Sequence, residues 1–106
     1  MGARVLGVLG SPRLDGNTAD LLEAVLDGAR DAGAEVERLD IAKLKIDPCI
    51  ECRSCDDKAE CVVKTDGMNE IYSRIRSVDA IVLASPIFFM GVTAQMKAMI
   101  DRCQSY

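Results

Sequence analysis

The sequence contains no histidine and no tryptophan, and it is poor in aromatic residues and in net positive charge. Without an imidazole, the chain cannot use the histidine base on which most hydrolases depend. Aromatic residues make up 4% of the chain and the formal net charge is −4, which argues against nucleic-acid binding. Its apolar runs are too short to cross a bilayer. We therefore expect a soluble, cytoplasmic protein that binds neither nucleic acid nor membrane.

Apolar residues follow the spacing of a strand and then that of a helix, three times in succession. Asn17 or Thr18 is placed to cap the first helix, and Gly33 to end it. The predicted strands cover residues 3–9, 35–40 and 79–85, and the predicted helices begin at Ala19, after Asp66 and at about Thr93. The side chains predicted to be buried in the first and last helices are Leu22, Val25, Leu26, Ala29, Met96, Met99, Ile100 and Cys103.

Alternating strands and helices predict an α/β fold with a parallel sheet and right-handed crossovers. We expect a flavodoxin-like, doubly wound sheet with helices on both faces, in which the loops after the first and third strands meet. Three strands make a thin sheet, and the third strand would have an open edge. We therefore interpret residues 1–106 as the amino-terminal portion of a longer domain, or as a chain completed by a partner, with an insertion at residues 45–66.

That insertion, which we call the cysteine segment, carries four cysteines at the spacing C-x2-C-x2-C-x5-C: Cys49, Cys52, Cys55 and Cys61. Closely spaced thiolates are typical of iron–sulfur ligation, so we predict a cluster. Two disulfides are an alternative, but we expect no signal peptide, and cytosolic thiols stay reduced. A structural zinc site is a second alternative, although zinc cysteines usually form two separated pairs. Unliganded thiols are the third.

The loop of residues 10–18, the first loop, follows the first strand and opens a helix. Backbone amides and the helix dipole at such a position suit a phosphate group. The loop has neither the lysine of a P-loop nor the glycine spacing of a dinucleotide site. Its phosphate-binding candidates are Ser11, Arg13, Asn17 and Thr18. These donors favour a single terminal phosphate, and the alternative is an ordinary connecting loop.

The loop of residues 85–91, the third-strand loop, is apolar where an exposed loop is normally polar. Phe88, Phe89 and Met90 are suited to form a wall for a flat, conjugated ring. The alternative is that these side chains simply close the core. A phosphate site and a ring site on adjacent loops together predict flavin mononucleotide, FMN.

Several motifs resemble those of the iron–sulfur flavoproteins, within the flavodoxin-like superfamily of NADPH-dependent FMN reductases. They are the four cysteines, Gly-Ser-Pro-Arg at 10–13, Gly-Asn-Thr at 16–18, Ala-Ser-Pro-Ile-Phe at 84–88 and Ala-Gln-Met-Lys-Ala-Met-Ile-Asp-Arg at 94–102. The resemblance implies a [4Fe–4S] cluster on the four cysteines and a homodimer or homotetramer. It also implies that the FMN ring and ribityl chain contact Pro86, Ile87, Phe88, Phe89 and Gly91.

The function we expect is that of an iron–sulfur flavoprotein oxidoreductase, in which electrons pass between a ferredoxin-like donor, the cluster and FMN. No side chain is predicted to act as a catalytic acid or base, because the cofactors carry the electron chemistry. One alternative is an NAD(P)H-dependent FMN or quinone reductase that uses hydride transfer. Another is a redox-sensing or zinc-stapled module without enzymatic activity.

Overall fold

The computed structural model of the protein describes residues 2–105 and contains one parallel, three-stranded sheet. Its strands are β1 (Arg4–Leu9), β2 (Glu35–Asp40) and β3 (Ala80–Ala84), in the order β2-β1-β3. Val5 pairs with Val36 on one side of β1 and with Ala80 on the other. Because the chain places β2 and β3 on opposite sides of β1, the loops after β1 and β3 flank a crevice. The predicted α/β topology is confirmed.

Within residues 2–105, four helices and two short 3₁₀ turns accompany the strands. The helices are α1 (Asn17–Asp31), α2 (Cys55–Lys58), α3 (Met68–Arg76) and α4 (Ala94–Arg102), and the 3₁₀ turns are Ile41–Lys43 and Cys103–Ser105. The predicted start of α1 was wrong, because Gly16 is the N-cap and no side chain caps the helix. Glycine is among the residues accepted at an N-cap, where the backbone is extended. Gly33 ends α1 with a φ of 98°, as predicted.

The core lies in two layers, one on each face of the sheet. On one face, α1 places Leu22 and Leu26 against Leu9 of β1. On the other face, side chains of α3 and α4 pack against β1. Leu6 of β1 and Met96 of α4 lie in this layer, and neither has exposed surface. Helices therefore cover both faces, and the predicted three-layer arrangement is confirmed.

Of the eight side chains predicted to be buried in these helices, Val25 and Ile100 are exposed, and Ala29 and Cys103 are only partly buried. Val25 is 50% exposed and Ile100 is 37% exposed, so both predictions were wrong. The helical pattern is present in both helices, but a sheet of three strands covers only a narrow stripe of each helix. Leu21, one turn before Val25, is likewise 70% exposed.

The strand β3 forms one edge of the sheet, and it pairs with β1 alone among the residues that the structure describes. Its Ile81 and Leu83 side chains are 43% and 50% exposed. The expected open edge is confirmed. None of the described helices is both long enough and apolar enough to span a bilayer.

Candidate functional site

The first loop and the third-strand loop meet, as predicted, and Thr93 connects them. The amide of Gly10 donates a hydrogen bond of 2.8 Å to the carbonyl of Ala84. Thr93 is fully buried, donates through Oγ1 to the Gly10 carbonyl at 2.6 Å, and accepts from the Met96 amide at 3.1 Å. Its backbone amide donates to Ser85 Oγ at 3.1 Å. Thr93 therefore caps α4 and fixes both loops, a role that sequence reasoning missed although a threonine before a helix is a capping signal.

Gly10 leaves room for this contact between the loops. A Cβ atom at this position would lie 2.6 Å from Met96 Cε, 3.0 Å from Met96 Cβ and 3.3 Å from the Ala84 carbonyl oxygen. Met96 has no exposed surface, so its side chain has little space into which to move. The absence of a side chain at Gly10 allows α4 to lie close to the carboxyl end of β1.

The predicted phosphate ligands lie together between β1 and the first turn of α1. Ser11 is buried and its hydroxyl accepts a hydrogen bond of 3.0 Å from the Arg13 amide, which shapes the loop. The side chains of Arg13 and Asn17 are exposed, and Thr18 is half-buried. Asn17 and Thr18 occupy the first turn of the helix, where amide groups lack intrahelical acceptors. This placement suits an anion, and the assignment of these residues to a phosphate stays a prediction.

The tip of the third-strand loop is a tight turn with apolar side chains in solvent. Phe88 and Gly91 exchange two backbone hydrogen bonds of 2.9 and 3.0 Å. Between them, Phe89 and Met90 have φ values of 42° and 66°, a region that costs a non-glycine residue about 1–3 kcal/mol. Phe89 is fully exposed and Met90 is 93% exposed. The alternative that these side chains close the core is therefore wrong, and the strained tip exposes an apolar surface to solvent.

The four cysteines of the cysteine segment line a single cavity of about 350 Å³. All five thiols of the chain are free, and Cys103 does not line this cavity. Within residues 2–105, no group of three or more cysteine, aspartate or glutamate side chains already has the geometry of a metal site. The structure thus brings the predicted ligands to one cavity, which we call the cysteine cavity, without closing them around a common point.

Hydrogen bonds and strained backbone shape the cysteine cavity. Cys49 Sγ accepts from Gln104 Nε2 at 2.9 Å and from the Glu51 amide at 3.4 Å. Cys52 is exposed, and hydrogen bonds from the backbone and hydroxyl of Ser54 lower the pKa of its thiol. The residues on either side of it, Glu51 and Arg53, have φ values of 55° and 63°. Donors directed at sulfur and left-handed backbone at non-glycine residues are both features of functional loops.

A buried ion pair lies beside the cysteine cavity, and sequence reasoning missed it. Arg102 Nη1 contacts Asp66 Oδ2 at 2.6 Å, and both side chains are 1% exposed. The same guanidinium donates to the carbonyls of Asp47 at 2.8 Å and Val63 at 3.2 Å. Burial opposes the charge of Arg102, but the hydrogen bonds to Asp66 and the neighbouring Cys61 thiol outweigh it and raise the pKa of Arg102. The ion pair joins the end of α4 to the start of α3 and to the cysteine segment.

The donor set of the cysteine cavity fits a thiolate-bound iron–sulfur cluster. Four thiols from one segment provide the complete ligand set of such a cluster. Zinc uses the same ligands, so the donor set alone leaves both metals open. Hydrogen-bond donors reach the Cys49 sulfur, and Arg102 lines the same cavity together with the acidic residues Glu51, Asp56 and Asp101.

Helix α4 connects the two candidate sites. Thr93 at its start fixes the loops of the predicted flavin site, and Arg102 at its end lines the cysteine cavity. They are nine positions apart in the sequence, so the two backbone positions lie about 14 Å apart along a helix that rises 1.5 Å per residue. A single rigid element therefore sets the spacing between the sites.

Comparisons with known proteins show the family of the chain. The family model of the NADPH-dependent FMN reductases matches residues 3–106. An iron-sulfur flavoprotein from Archaeoglobus fulgidus is 43% identical over 103 residues, which cover 97% of this chain and 46% of that protein. An iron-sulfur flavoprotein from Methanocaldococcus jannaschii is 37% identical over 99 residues, which cover 93% of this chain and 51% of that protein. The chain spans about half the length of the curated relatives it matches.

Solved structures share the fold. The NAD(P)H:quinone oxidoreductase from Methanothermobacter marburgensis superimposes with a TM-score of 0.77, over 97% of this chain and 53% of that chain. The sequence identity is 20%, so this likeness concerns the fold alone.

Proposed function

The chain belongs to the NADPH-dependent FMN reductase family, and on that premise we propose that it is part of an iron–sulfur flavoprotein oxidoreductase. One observation carries the proposal: four cysteines line a single cavity at one end of α4, whose other end fixes the loops of a flavin-type fold. The proposed ligands of a [4Fe–4S] cluster are Cys49, Cys52, Cys55 and Cys61. The cytoplasm, where thiols stay reduced, suits such a ligand set.

For the flavin, we propose that the first loop holds the FMN phosphate. The Ser11 hydroxyl and the first-turn amides of α1 supply hydrogen bonds, and Arg13 supplies charge. Residues 86–89 and Gly91 contact the ring and the ribityl chain. Support comes from the exposed apolar side chains of Ile87 and Phe89, which a flat ring would shield from water.

Bound FMN takes up one or two electrons, whereas a cluster takes up one at a time, so together they connect one-electron and two-electron chemistry. In this proposal, the flavin site and the cysteine cavity lie at opposite ends of α4, and the length of the helix sets the distance between them. Thr93 fixes the flavin loops, and Arg102 and Gln104 direct donors at the cysteine cavity. The proposed partner is a ferredoxin-like one-electron donor.

We also propose a homodimer or homotetramer. The exposed side chains of β3 and of the third-strand loop leave apolar surface at one edge of the sheet. Such surface is normally covered by further chain or by a second copy. Light scattering of the chain with bound flavin tests this proposal, and a monomer at all concentrations contradicts it.

A second candidate function, favoured by the family, is hydride transfer from NAD(P)H to FMN without participation of the cysteines. In an anaerobic stopped-flow experiment, our proposal predicts rapid flavin reduction by reduced ferredoxin and loss of this reaction when the four cavity cysteines are replaced by alanine. Rapid reduction by NADPH that survives the four replacements supports the second candidate. Protein that binds zinc and takes up no FMN supports a redox-sensing or zinc-stapled module instead.

Single variants separate the two sites. Cys52→Ala is expected to remove the cluster and to leave FMN bound, whereas Thr18→Ala is expected to weaken FMN and to leave iron in place. Cys103→Ala is the matched control, since this cysteine lies outside the cysteine cavity. Iron analysis and flavin fluorescence of each variant give the result. Loss of iron in Cys103→Ala to the same extent as in Cys52→Ala contradicts the assignment.

A further inference from the structure

The guanidinium of Arg102 has more donors than its protein partners use. Among the described residues, its Nε is the one buried side-chain nitrogen or oxygen atom without a hydrogen-bond partner. Arg102 is 2% exposed, and it lines the cysteine cavity together with Cys61. An unsatisfied buried donor on a charged group is costly, so the Nε–H calls for an acceptor in the adjoining cysteine cavity.

The ion pair is oriented with its positive end toward the cavity. Arg102 lines the cysteine cavity, whereas Asp66 is absent from the described residues that form its wall. Asp66 accepts from the backbone amides of Asp47 at 2.8 Å and Met68 at 3.2 Å, and these bonds hold its carboxylate in place. The carboxylate thus positions Arg102, and the guanidinium presents its charge to the sulfurs.

We propose that Arg102, positioned by Asp66, compensates the charge of the iron–sulfur centre and donates to the Cys61 sulfur, so that the centre is easier to reduce. This inference rests on the proposed function, since it requires iron in the cysteine cavity. Four thiolates bring four negative charges, and reduction adds one electron to the centre. A fixed positive charge on a side chain that is itself shielded from water stabilises the reduced form more than the oxidised form.

The test is a redox titration of the whole chain, reconstituted anaerobically with iron and sulfide and followed by electron paramagnetic resonance. For Arg102→Gln, we expect one-electron reduction to become about tenfold less favourable, which is a fall of about 59 mV in midpoint potential. For Asp66→Asn, the potential moves in the opposite direction, because the neutralising carboxylate is gone. A purely structural role would not shift the potential in opposite directions.

Arg53→Gln is the matched control. Arg53 lines the same cavity, but its side chain is 78% exposed and paired with Asp56 at 2.9 Å. Solvent screens its charge, so we expect less than half the shift of Arg102→Gln. If Arg102→Gln does not fold, Arg102→Lys takes its place, with a smaller fall because the charge is kept and the fork of donors is lost.

Three results overturn the role of Arg102: an unchanged potential in both variants, shifts of the same sign, or an equal shift in Arg53→Gln. Iron analysis of the wild-type chain precedes the titration and separates this inference from the proposed function. A wild-type chain without iron overturns both, whereas iron with an insensitive potential overturns only the role of Arg102.

Discussion

Replacing Gly10 by alanine tests how the two flavin loops are held together. The added Cβ would lie 2.6 Å from Met96 Cε, 3.0 Å from Met96 Cβ and 3.3 Å from the Ala84 carbonyl oxygen. Met96 is fully buried, so its terminal methyl group has little space to move, and its Cβ and the Ala84 carbonyl are fixed by the backbone. Overpacking of this kind costs about 1–3 kcal/mol. Since Gly10 also receives the Thr93 hydrogen bond, we expect looser FMN binding together with lower stability.

Gly28→Ala is the matched control for the same chemical change. Gly28 lies within α1, and a Cβ there would have no atom within 4 Å. Alanine in a helix interior is favoured over glycine, so we expect a gain of about 0.5–1 kcal/mol. Relative to wild type, Gly10→Ala should therefore lower the free energy of unfolding and Gly28→Ala should raise it.

Thermal unfolding followed by circular dichroism measures both effects. One kcal/mol corresponds to about 4–8 °C for a chain of this size, so Gly10→Ala is expected to melt at least about 4 °C below wild type. Flavin fluorescence titration should show weaker FMN binding for Gly10→Ala and unchanged binding for Gly28→Ala. A Gly10→Ala protein as stable as wild type, with unchanged flavin affinity, would refute the close contact between α4 and the first loop.

Three further predictions concern the capping threonine, the ion pair and the thiols. Thr93→Val should lower the free energy of unfolding by about 1–2 kcal/mol, since a helix cap and a buried hydrogen bond are lost; a change below about 0.5 kcal/mol in urea unfolding contradicts this. Burial alone would raise the pKa of Asp66, but hydrogen bonds from Arg102 and from backbone amides have the larger effect, so the pKa is lowered. Its stabilising contribution is thus present above the unfolded-state pKa of about 3.9 and is lost as the pH falls through the lower folded-state value. Wild type should be more stable than Asp66→Asn at pH 7, by about 3–5 kcal/mol if the buried pair is fully broken, and the gap should narrow in acid; a gap that is constant with pH contradicts this. In metal-free, reduced protein, iodoacetamide should modify Cys52 before Cys103, because hydrogen bonds from Ser54 lower the pKa of Cys52 while burial raises that of Cys103; mass spectrometry showing the reverse order contradicts this.

The arrangement of strands was predictable because local signals and the fold agree. Gly10 ends β1 and Gly33 ends α1, and each β-strand is a short apolar or alternating run between such breaks. Predicted and observed strand boundaries differ by no more than one residue. The junction of the first and third-strand loops followed from topology, since parallel strands carry their carboxyl ends to the same edge.

The remaining features depend on contacts between distant parts of the chain. Asp66 and Arg102 are 36 residues apart, and no local pattern marks them as a pair. The turn at Phe89 and Met90 uses φ values that sequence rules assign to asparagine and glycine. Val25 does lie on a helix, as its spacing predicts. Its exposure depends on the width of the sheet, which the sequence of the helix does not reveal.

Iron, acid-labile sulfide and FMN content of anaerobically purified protein test the central claim most directly. The account predicts about four irons and four sulfides per chain, as a [4Fe–4S] cluster requires, together with bound FMN. Zinc in place of iron, with no sulfide, would contradict the assignment of the cysteine cavity to an electron-carrying cluster.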